Sequence, residues 1–375
     1  MSRRVRERRR RARRRWLSAT AALVVLGLGA GAALVSCGGG SSAAPERRRT
    51  TATTIPPTTT TVFVPTAPLT GLPDPSGVSQ TRSALSVKIE NTPDARPQAG
   101  LDVADVVYEE MVEGGITRFW AVFSSAAPGR VGPIRSVRLM DPNVVWPIGG
   151  VIAYSGGTDE NVRLIRETPT VWIDENNAAD AFSRDPKRYA PHNLFGDPAK
   201  LWARGGEPVP PRPLFTYLGK GETFAGEGID SFRVGFQAGY DPTYTFDPAT
   251  RTWKRSYGAV AFTDESGAQV APTNVIVQFV SYPRGAEGEL LGEGEAWVFS
   301  DHQLVRGRWV KPNPETPTQF VDAAGLPIRL TPGRTWVELL PTGSPVDLVA
   351  APLPPPTVPP TTPPTKPPTT TKKQR

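Results

Sequence analysis

The chain contains a single cysteine, Cys37, among its 375 residues. One cysteine cannot form an intramolecular disulfide, and it excludes a metal site with several cysteine ligands. Any folded part of the chain must therefore be stabilised by an ordinary hydrophobic core, which requires a long stretch of mixed polar and apolar sequence. Residues 66–346 supply that stretch, because the sequence on either side of them has a different composition.

The N-terminal residues have the composition of a secretion signal. Ten arginines precede the nineteen residues 17–35, of which only two have polar side chains. The sequence Leu-Val-Ser-Cys that ends at Cys37 resembles the lipobox at which bacterial lipoproteins are cleaved and lipidated. We therefore expect a signal peptide over 1–36, export by the Sec or the twin-arginine route, and a lipid-anchored protein on the extracytoplasmic side of the cell membrane. The alternative is an uncleaved membrane-spanning helix with the same orientation.

The net charge of +7 does not describe the folded part of the chain. Basic residues concentrate near the two ends, and residues 62–350 carry a net charge of −8. An acidic domain lacks the electrostatic footprint of a nucleic-acid binder, so we expect no nucleic-acid partner. Segments 37–65 and 347–375 are rich in Pro and Thr, and we predict a tether and a disordered tail. The tail is either a second spacer or an arm whose lysines contact an anionic cell-wall polymer.

The first part of the folded region, 66–205, combines strand and helix patterns. The predicted elements are strands at 85–91, 105–112 and 116–123 and a helix at 158–168. Thr158 or Asp159 can cap that helix at its N-terminus. These patterns predict an α+β or α/β N-terminal module.

The second part, 231–346, follows a Pro/Gly-rich linker at 206–230 and consists mainly of strand patterns. The predicted strands lie at 243–258, 274–282, 294–311 and 334–340. They predict a mostly antiparallel all-β C-terminal module, built as a barrel or a small sandwich. Its tryptophans, including Trp253, Trp297, Trp309 and Trp336, are expected in the core rather than on a ligand platform.

A hairpin is predicted at Gly114 and Gly115, which form a two-residue loop between apolar strands. This loop would place Met111 opposite Arg118, with Glu109 and Glu113 as diagonal neighbours of the arginine. One interpretation is a structural salt-bridge cluster. The alternative is a site in which Glu109, Glu113 and Asp141 bind a divalent metal and Arg118 holds a phosphate.

Three further arginines, Arg130, Arg135 and Arg138, follow the hairpin in a loop that contains several glycines. A guanidinium group binds phosphate or carboxylate with two parallel hydrogen bonds, and glycines let backbone N–H groups approach the same anion. The loop is therefore a candidate anion-binding site. The alternative is that each arginine pairs with one of the many acidic residues of the domain.

His192 and Asn193 lie in the sequence YAPHNLF and are the candidate acid–base residues. His192 could act as a general base or metal ligand, oriented by Asn193, Asp174 or Asp185. The alternative is a buried histidine that only forms structural hydrogen bonds. A nucleophile elbow, a P-loop, an H-E-x-x-H zinc motif and a dinucleotide fingerprint are absent, so no catalytic residue is established.

Several long motifs resemble the YerB-like lipoprotein family, a two-module family of unknown function. They are PLTGLP at 68–73, ARPQAGLDVADVVYE at 95–109, EGGITRFWAVF at 113–123, VGPIRSVR at 131–138, YAPHNLF at 189–195, YTFDPATRTWKRSYG, TNVIVQFV, GEGEAWVF, GRWVK at 307–311 and LTPGRTWVELLP at 330–341. The resemblance covers nearly all of 66–345. It implies membership of the family but no activity, substrate or cofactor.

A weaker similarity connects the chain to the LytR-CpsA-Psr enzymes, which transfer glycopolymers from lipid phosphate to peptidoglycan. Here VGPIRSVRLMD precedes an Ala-Tyr-Ser-Gly-Gly stretch at 153–157 and the predicted helix. Ser136 stands where those enzymes would have an aspartate after the arginine, and Asp141 is a displaced substitute.

Together these observations predict a membrane-anchored envelope lipoprotein that acts as a binding or accessory protein. It would recognise an anionic ligand through the 130–138 loop, and its partner would be a cell-wall polymer or an envelope protein. The alternative is an envelope enzyme that acts on a phosphorylated or polyprenyl-phosphate-linked glycan. No cofactor is expected, and a divalent metal is expected only under that alternative.

Overall fold

The computed structural model describes residues 64–236 and 239–352. The predicted signal peptide, Cys37, nearly all of the tether and most of the tail lie outside these residues. Within them, one large sheet dominates the fold. No helix of the described part is both long and apolar enough to cross a bilayer.

The described residues contain seventeen strands and three α-helices, besides four short 3-10 turns. The strands are β1 Leu85–Glu90, β2 Val106–Met111, β3 Thr117–Phe123, β4 Val151–Ala153, β5 Val171–Ile173, β6 Phe182–Arg184, β7 Leu194–Gly196, β8 Glu227–Val234, β9 Pro242–Asp247, β10 Thr252–Tyr257, β11 Val260–Ala261, β12 Asn274–Val280, β13 Gly292–Ser300, β14 Gln303–Lys311, β15 Gln319–Val321, β16 Thr335–Pro341 and β17 Val346–Ala350. The helices are α1 Asp141–Val145, α2 Asp159–Glu167 and α3 Pro198–Ala203.

Fifteen of the strands form a mixed sheet, and β6 and β7 form a separate two-stranded one. The main path runs β11-β10-β9-β8-β14-β13-β12-β16-β2-β3-β1-β4-β5, with β15 beside β14 and β17 beside β8. Strand β16 pairs in parallel with both β12 and β2, and so connects the two parts of the chain within one sheet. The predicted α+β or α/β N-terminal module is therefore wrong, because the described protein is mostly β, with three short helices beside the sheet. The C-terminal strands belong to this same sheet and not to the predicted separate barrel or small sandwich. The sequence does not indicate this arrangement, because a parallel pairing between residues more than 200 positions apart has no local sequence signal.

The individual strands and helices agree with the sequence-based predictions better than the overall architecture does. The predicted strands around β1, β2, β3, β12, β13, β14 and β16 are confirmed. Helix α2 is also confirmed, and Thr158 caps it by accepting a hydrogen bond from the Asn161 N–H at 3.2 Å. Strand β17 extends to Ala350 and pairs with β8, so regular structure includes the first four residues of the predicted tail, 347–350.

The central strands are buried on both faces. Every residue of β1, β3 and β12 is buried. Alternate residues point to two hydrophobic clusters: Phe119 and Trp336 lie in one, and Trp120 and Val337 lie in the other. Helices α1 and α2 contribute to the second cluster. Of the predicted core tryptophans, Trp253, Trp309 and Trp336 are buried, whereas Trp297 is partly buried beneath the Arg306 guanidinium.

Candidate anion site

The loop that carries Arg135 and Arg138 lies along strand β1. The Glu90 N–H donates to the Pro133 carbonyl at 2.9 Å, and the Arg135 N–H donates to the Lys88 carbonyl at 2.9 Å. Gly132 permits this path: its φ is 145°, and a Cβ atom there would lie 2.8 Å from the Leu194 carbonyl oxygen. The loop thereby reaches the end of β1, next to the start of β3.

The hairpin between β2 and β3 differs from the prediction by one residue. Both Gly114 and Gly115 have positive φ, but they belong to a turn that also includes Glu113. Arg118 therefore pairs with Glu110, not Met111. A shift of one residue moves side chains to the opposite face of a strand. Consequently Glu109 lies on the other face of the sheet from Arg118.

Three of the four candidate arginines, Arg118, Arg135 and Arg138, come together, and we call them the arginine cluster. Arg118 Nη1 donates to Ser136 O at 2.9 Å and lies 3.2 Å from Ser136 Oγ. Arg138 Nη1 contacts the same two oxygens at 3.3 and 3.0 Å. Two guanidinium groups thus share one residue of the loop.

Two carboxylates compensate the cluster in part. Arg138 Nη2 lies 2.7 Å from Glu113 Oε2, and Arg135 Nε lies 3.4 Å from Glu90 Oε2. The second contact is an ion pair without hydrogen-bond geometry, since neither atom has a hydrogen-bond partner among the described residues. Arg135 and Arg138 therefore each have one carboxylate partner, so two carboxylates face the three guanidinium groups of the cluster.

Arg118 is the most buried member, with 4% of its surface exposed. Burial, followed by repulsion from Arg138 and Arg135, lowers the pKa of Arg118 to about 10. Its Nε has no hydrogen-bond partner in the described part of the chain. A buried donor without an acceptor costs about 1–3 kcal/mol, so an additional negative group beside it would be stabilising.

A second buried charge group lies next to the cluster on the same face. Lys88 Nζ contacts Glu110 Oε1 and, at 2.8 Å, Asp141 Oδ1, and all three side chains are fully buried. Trp120 Nε1 also donates to Asp141, at 2.8 Å. Burial and the neighbouring Asp141 charge raise the pKa of Glu110 to about 8, although Lys88 opposes the shift. The raised pKa weakens Glu110 as a counter-charge, although its carboxylate still favours the Arg118 cation.

His192 reaches the cluster through Glu90. Its Nδ1 lies 3.0 Å from Glu90 Oε1 and 3.3 Å from Thr92 Oγ1, and its side chain is 22% exposed. The orienting partner is Glu90 and not any of the three residues suggested by the sequence. Asn193 instead accepts from Arg184 at 2.9 Å, Asp174 pairs with Arg166, and Asp185 pairs with Arg130.

Arg130 is not a member of the cluster. It pairs with Asp185 and Glu265, and its guanidinium lies 4.0 Å from the centre of the Phe195 ring. For this residue the structure supports the interpretation in which the arginine is neutralised by nearby acids.

The predicted metal ligands are placed apart from one another. Glu109 pairs with Arg255 on the opposite face of the sheet, Asp141 pairs with Lys88, and Glu113 is an exposed partner of Arg138. Across the described residues, no three His, Cys, Asp or Glu side chains are grouped as metal ligands. The geometry gives no support to a metal centre built from these three carboxylates.

Sequence reasoning did not select Glu90, Lys88, Glu110 and Ser136, which complete the site. A signal was present in LSVKIE and VVYEEM, where charged residues interrupt strands that are otherwise apolar. Charged side chains in buried strands require partners, so such interruptions indicate a buried polar network.

Comparison with known proteins places the chain in a family. Residues 69–208 match the family described as "Protein of unknown function (DUF3048) N-terminal domain". Residues 232–337 match the C-terminal domain of the same description. The chain belongs to the YerB-like family. The predicted linker lies largely in the interval between the two matches.

A relative and a solved structure within the YerB-like family resemble the chain over most of its length. "Putative lipoprotein YerB" of Bacillus subtilis (strain 168) is 26% identical over 307 residues, which cover 73% of this chain and 86% of the relative. The crystal structure of YerB protein from Bacillus subtilis aligns with a TM-score of 0.66 and 24% identity, covering 76% of this chain and 99% of that one. The second likeness concerns the fold alone.

Proposed function

We propose that this chain is a lipid-anchored envelope lipoprotein that binds an anionic group at the arginine cluster. The signal-like N-terminus, the cysteine at its end and the relative named as a lipoprotein support the anchor and its extracytoplasmic orientation. A tether and a folded domain suit a binding or accessory protein, whose partner would be a cell-wall polymer or an envelope protein.

The observation that carries the binding proposal is the excess of guanidinium groups over paired carboxylates. Arg118 and Arg135 each have a buried Nε without a hydrogen-bond partner among the described residues. Arg135 and Arg138 remain 24% and 14% exposed, so an anion can reach them from solvent. A phosphate or carboxylate at this surface would accept hydrogen bonds from the exposed parts of Arg135 and Arg138 and reduce the repulsion among the three cations.

The binding proposal is tested by calorimetric titration of the detergent-purified protein with inorganic phosphate. We expect Arg135→Ala to weaken binding at least tenfold, because a charged hydrogen bond contributes about 1.5–3 kcal/mol. Arg130→Ala is the matched control, since this arginine lies outside the cluster, and it should change the affinity less than twofold. Equal losses in the two variants, or no binding to the wild type, would refute the proposal.

The anchor is tested separately by fractionating cells that express Cys37→Ala. Loss of the lipidation site should release the protein from the membrane into the medium. Unchanged membrane retention would instead favour the uncleaved helix.

A second candidate function, cleavage or transfer of the bound anionic group, rests on the contact between His192 and Glu90. A carboxylate that orients a histidine next to phosphate-binding arginines is the arrangement of a general base. With this function the chain would be an envelope enzyme whose substrate is a phosphorylated or polyprenyl-phosphate-linked glycan. If so, His192→Gln should abolish turnover of such a substrate while leaving phosphate affinity within twofold, and retained turnover would exclude the role.

A further inference from the structure

Tyr189 is unusually exposed for a large aromatic residue: 89% of its surface is accessible. It lies in the segment 185–193, three residues before His192. Single apolar residues at a surface are common and by themselves indicate nothing. The surroundings of Tyr189 are what distinguish it.

The segment that presents Tyr189 is held in place by hydrogen bonds from residues that precede and follow Tyr189 in the sequence. Arg188 donates to Ala95 O at 2.9 Å and Pro97 O at 2.7 Å. Asn193 Nδ2 donates to Arg188 O at 3.3 Å, and the Lys187 N–H donates to Asp185 Oδ1 at 2.9 Å. The backbone is thus fixed while the ring projects into solvent, an arrangement that lowers the entropy cost of binding a ligand.

Tyr189 is connected to the arginine cluster by three short contacts. The His192 N–H donates to Tyr189 O at 2.9 Å, which closes a turn and keeps the two Cα atoms within about 7 Å. His192 Nδ1 contacts Glu90 Oε1 at 3.0 Å, and Glu90 Oε2 contacts Arg135 Nε at 3.4 Å. The residue that carries the exposed ring is therefore linked to the proposed anion site through His192 and Glu90.

We propose that Tyr189 is the stacking platform for a sugar ring whose attached anionic group lies at the arginine cluster. This inference rests on the proposed anion site and names its ligand class, an anionic saccharide. An aromatic face packs against the C–H face of a pyranose, whereas the polar edges of the sugar require hydrogen-bond partners.

A polar partner of this kind lies beside His192. His192 Nε2 lies 4.0 Å from Asp94 Oδ2, and the Asp94 side chain is 82% exposed. Asp94 can accept from sugar hydroxyls but repels a negative charge. The anionic end of the ligand must therefore point to Arg135 and its sugar to Tyr189.

The test compares three probes on the detergent-purified protein by calorimetry: inorganic phosphate, N-acetylglucosamine 1-phosphate and uncharged N-acetylglucosamine. The wild type should bind the sugar phosphate more tightly than phosphate, and the uncharged sugar most weakly. Tyr189→Ala should weaken the sugar phosphate about five- to tenfold and leave phosphate within twofold. Tyr189→Phe, which keeps the ring, should retain the wild-type affinities.

Several results would overturn the proposed sugar platform, and they can be distinguished from results that would overturn the anion site. The platform is refuted if the sugar phosphate binds no better than phosphate, or if Tyr189→Ala weakens both equally or neither. In those cases the anion site would still be supported if phosphate binding depends on Arg135. The exposed ring would then be a candidate contact for a protein partner. If neither phosphate nor sugar phosphate binds to the wild type, both proposals fail together.

Discussion

The carboxyl of Glu110 links the stability of the protein to pH. Its pKa rises from 4.5 to about 8 in the fold because the group is buried beside Asp141. Between these values the folded state holds a proton that the unfolded state has released, so raising the pH favours unfolding. The contribution from this group falls by at most ~1.4 kcal/mol per pH unit within that window.

Glu110→Gln, which cannot titrate, isolates this effect. The difference in unfolding free energy between wild type and variant, measured by urea denaturation at pH 5, 6, 7 and 8, should shift against the wild type as the pH rises. Other buried acids contribute equally to both proteins and largely cancel. Parallel pH profiles would show that Glu110 does not hold the proton.

A second buried ionic network lies around Arg255 on the other face of the sheet. Arg255 is fully buried, pairs with Glu109, and its Nε donates to Tyr244 Oη at 3.0 Å. Burial works against the cation, but the combined electrostatic effect of Glu109, Tyr257, Tyr244 and Glu338 outweighs it and raises the pKa of Arg255. Burial and the neighbouring Glu109 raise the pKa of Glu338, and Glu109 is the carboxylate that pairs with Arg255.

Removing Arg255 alone should therefore be costly. We expect Arg255→Leu to lower the unfolding free energy by about 3–5 kcal/mol, because it leaves Glu109 buried and unpaired. The double variant with Glu109→Gln should recover part of that loss. Urea denaturation of the wild type, both single variants and the double variant measures the coupling, and strictly additive losses would contradict the pairing.

At the scale of elements, the position of the loop 131–138 depends on Gly132. Its positive φ and the nearby Leu194 carbonyl leave no space for a side chain. We expect Gly132→Ala to lower stability by about 1–3 kcal/mol and to weaken phosphate binding, since Arg135 and Arg138 lie three and six residues after it in the same loop. Gly129→Ala is the control, because nothing lies within 4 Å of a Cβ atom there. Similar effects of the two substitutions on stability and affinity would contradict this role.

Local patterns were sufficient to predict the central strands and helix α2, because periodicity and capping depend on neighbouring residues. They were insufficient for the hairpin register, since Gly114 and Gly115 are compatible with turns of two or three residues. That difference of one residue placed Glu110, rather than Met111, opposite Arg118. The convergence of the arginines also depends on Glu90 and Ser136, whose roles follow only from the path of the loop along β1.

The architecture of the whole molecule depends on β16, which lies between β12 and β2. It pairs with β2 from Thr335 with Val106 to Leu339 with Glu110. Glu338 and Glu109 are neighbours in this register, so the same pairing assembles the buried network around Arg255. A division of the sequence into an N-terminal and a C-terminal module, although natural from composition, does not reveal this connection.

The two parts of the chain should consequently fold as one cooperative unit. A fragment of residues 64–205 lacks β16 and Arg255, which would expose the edge of β2 and leave Glu109 without its cation. We expect this fragment to show poorly dispersed amide resonances and no cooperative urea transition, whereas residues 64–352 should unfold in one step. Adding residues 206–352 in trans should restore dispersion if the loss is caused by the missing strand. A fragment that folds alone, with native-like dispersion, would show that β16 is dispensable for the N-terminal part.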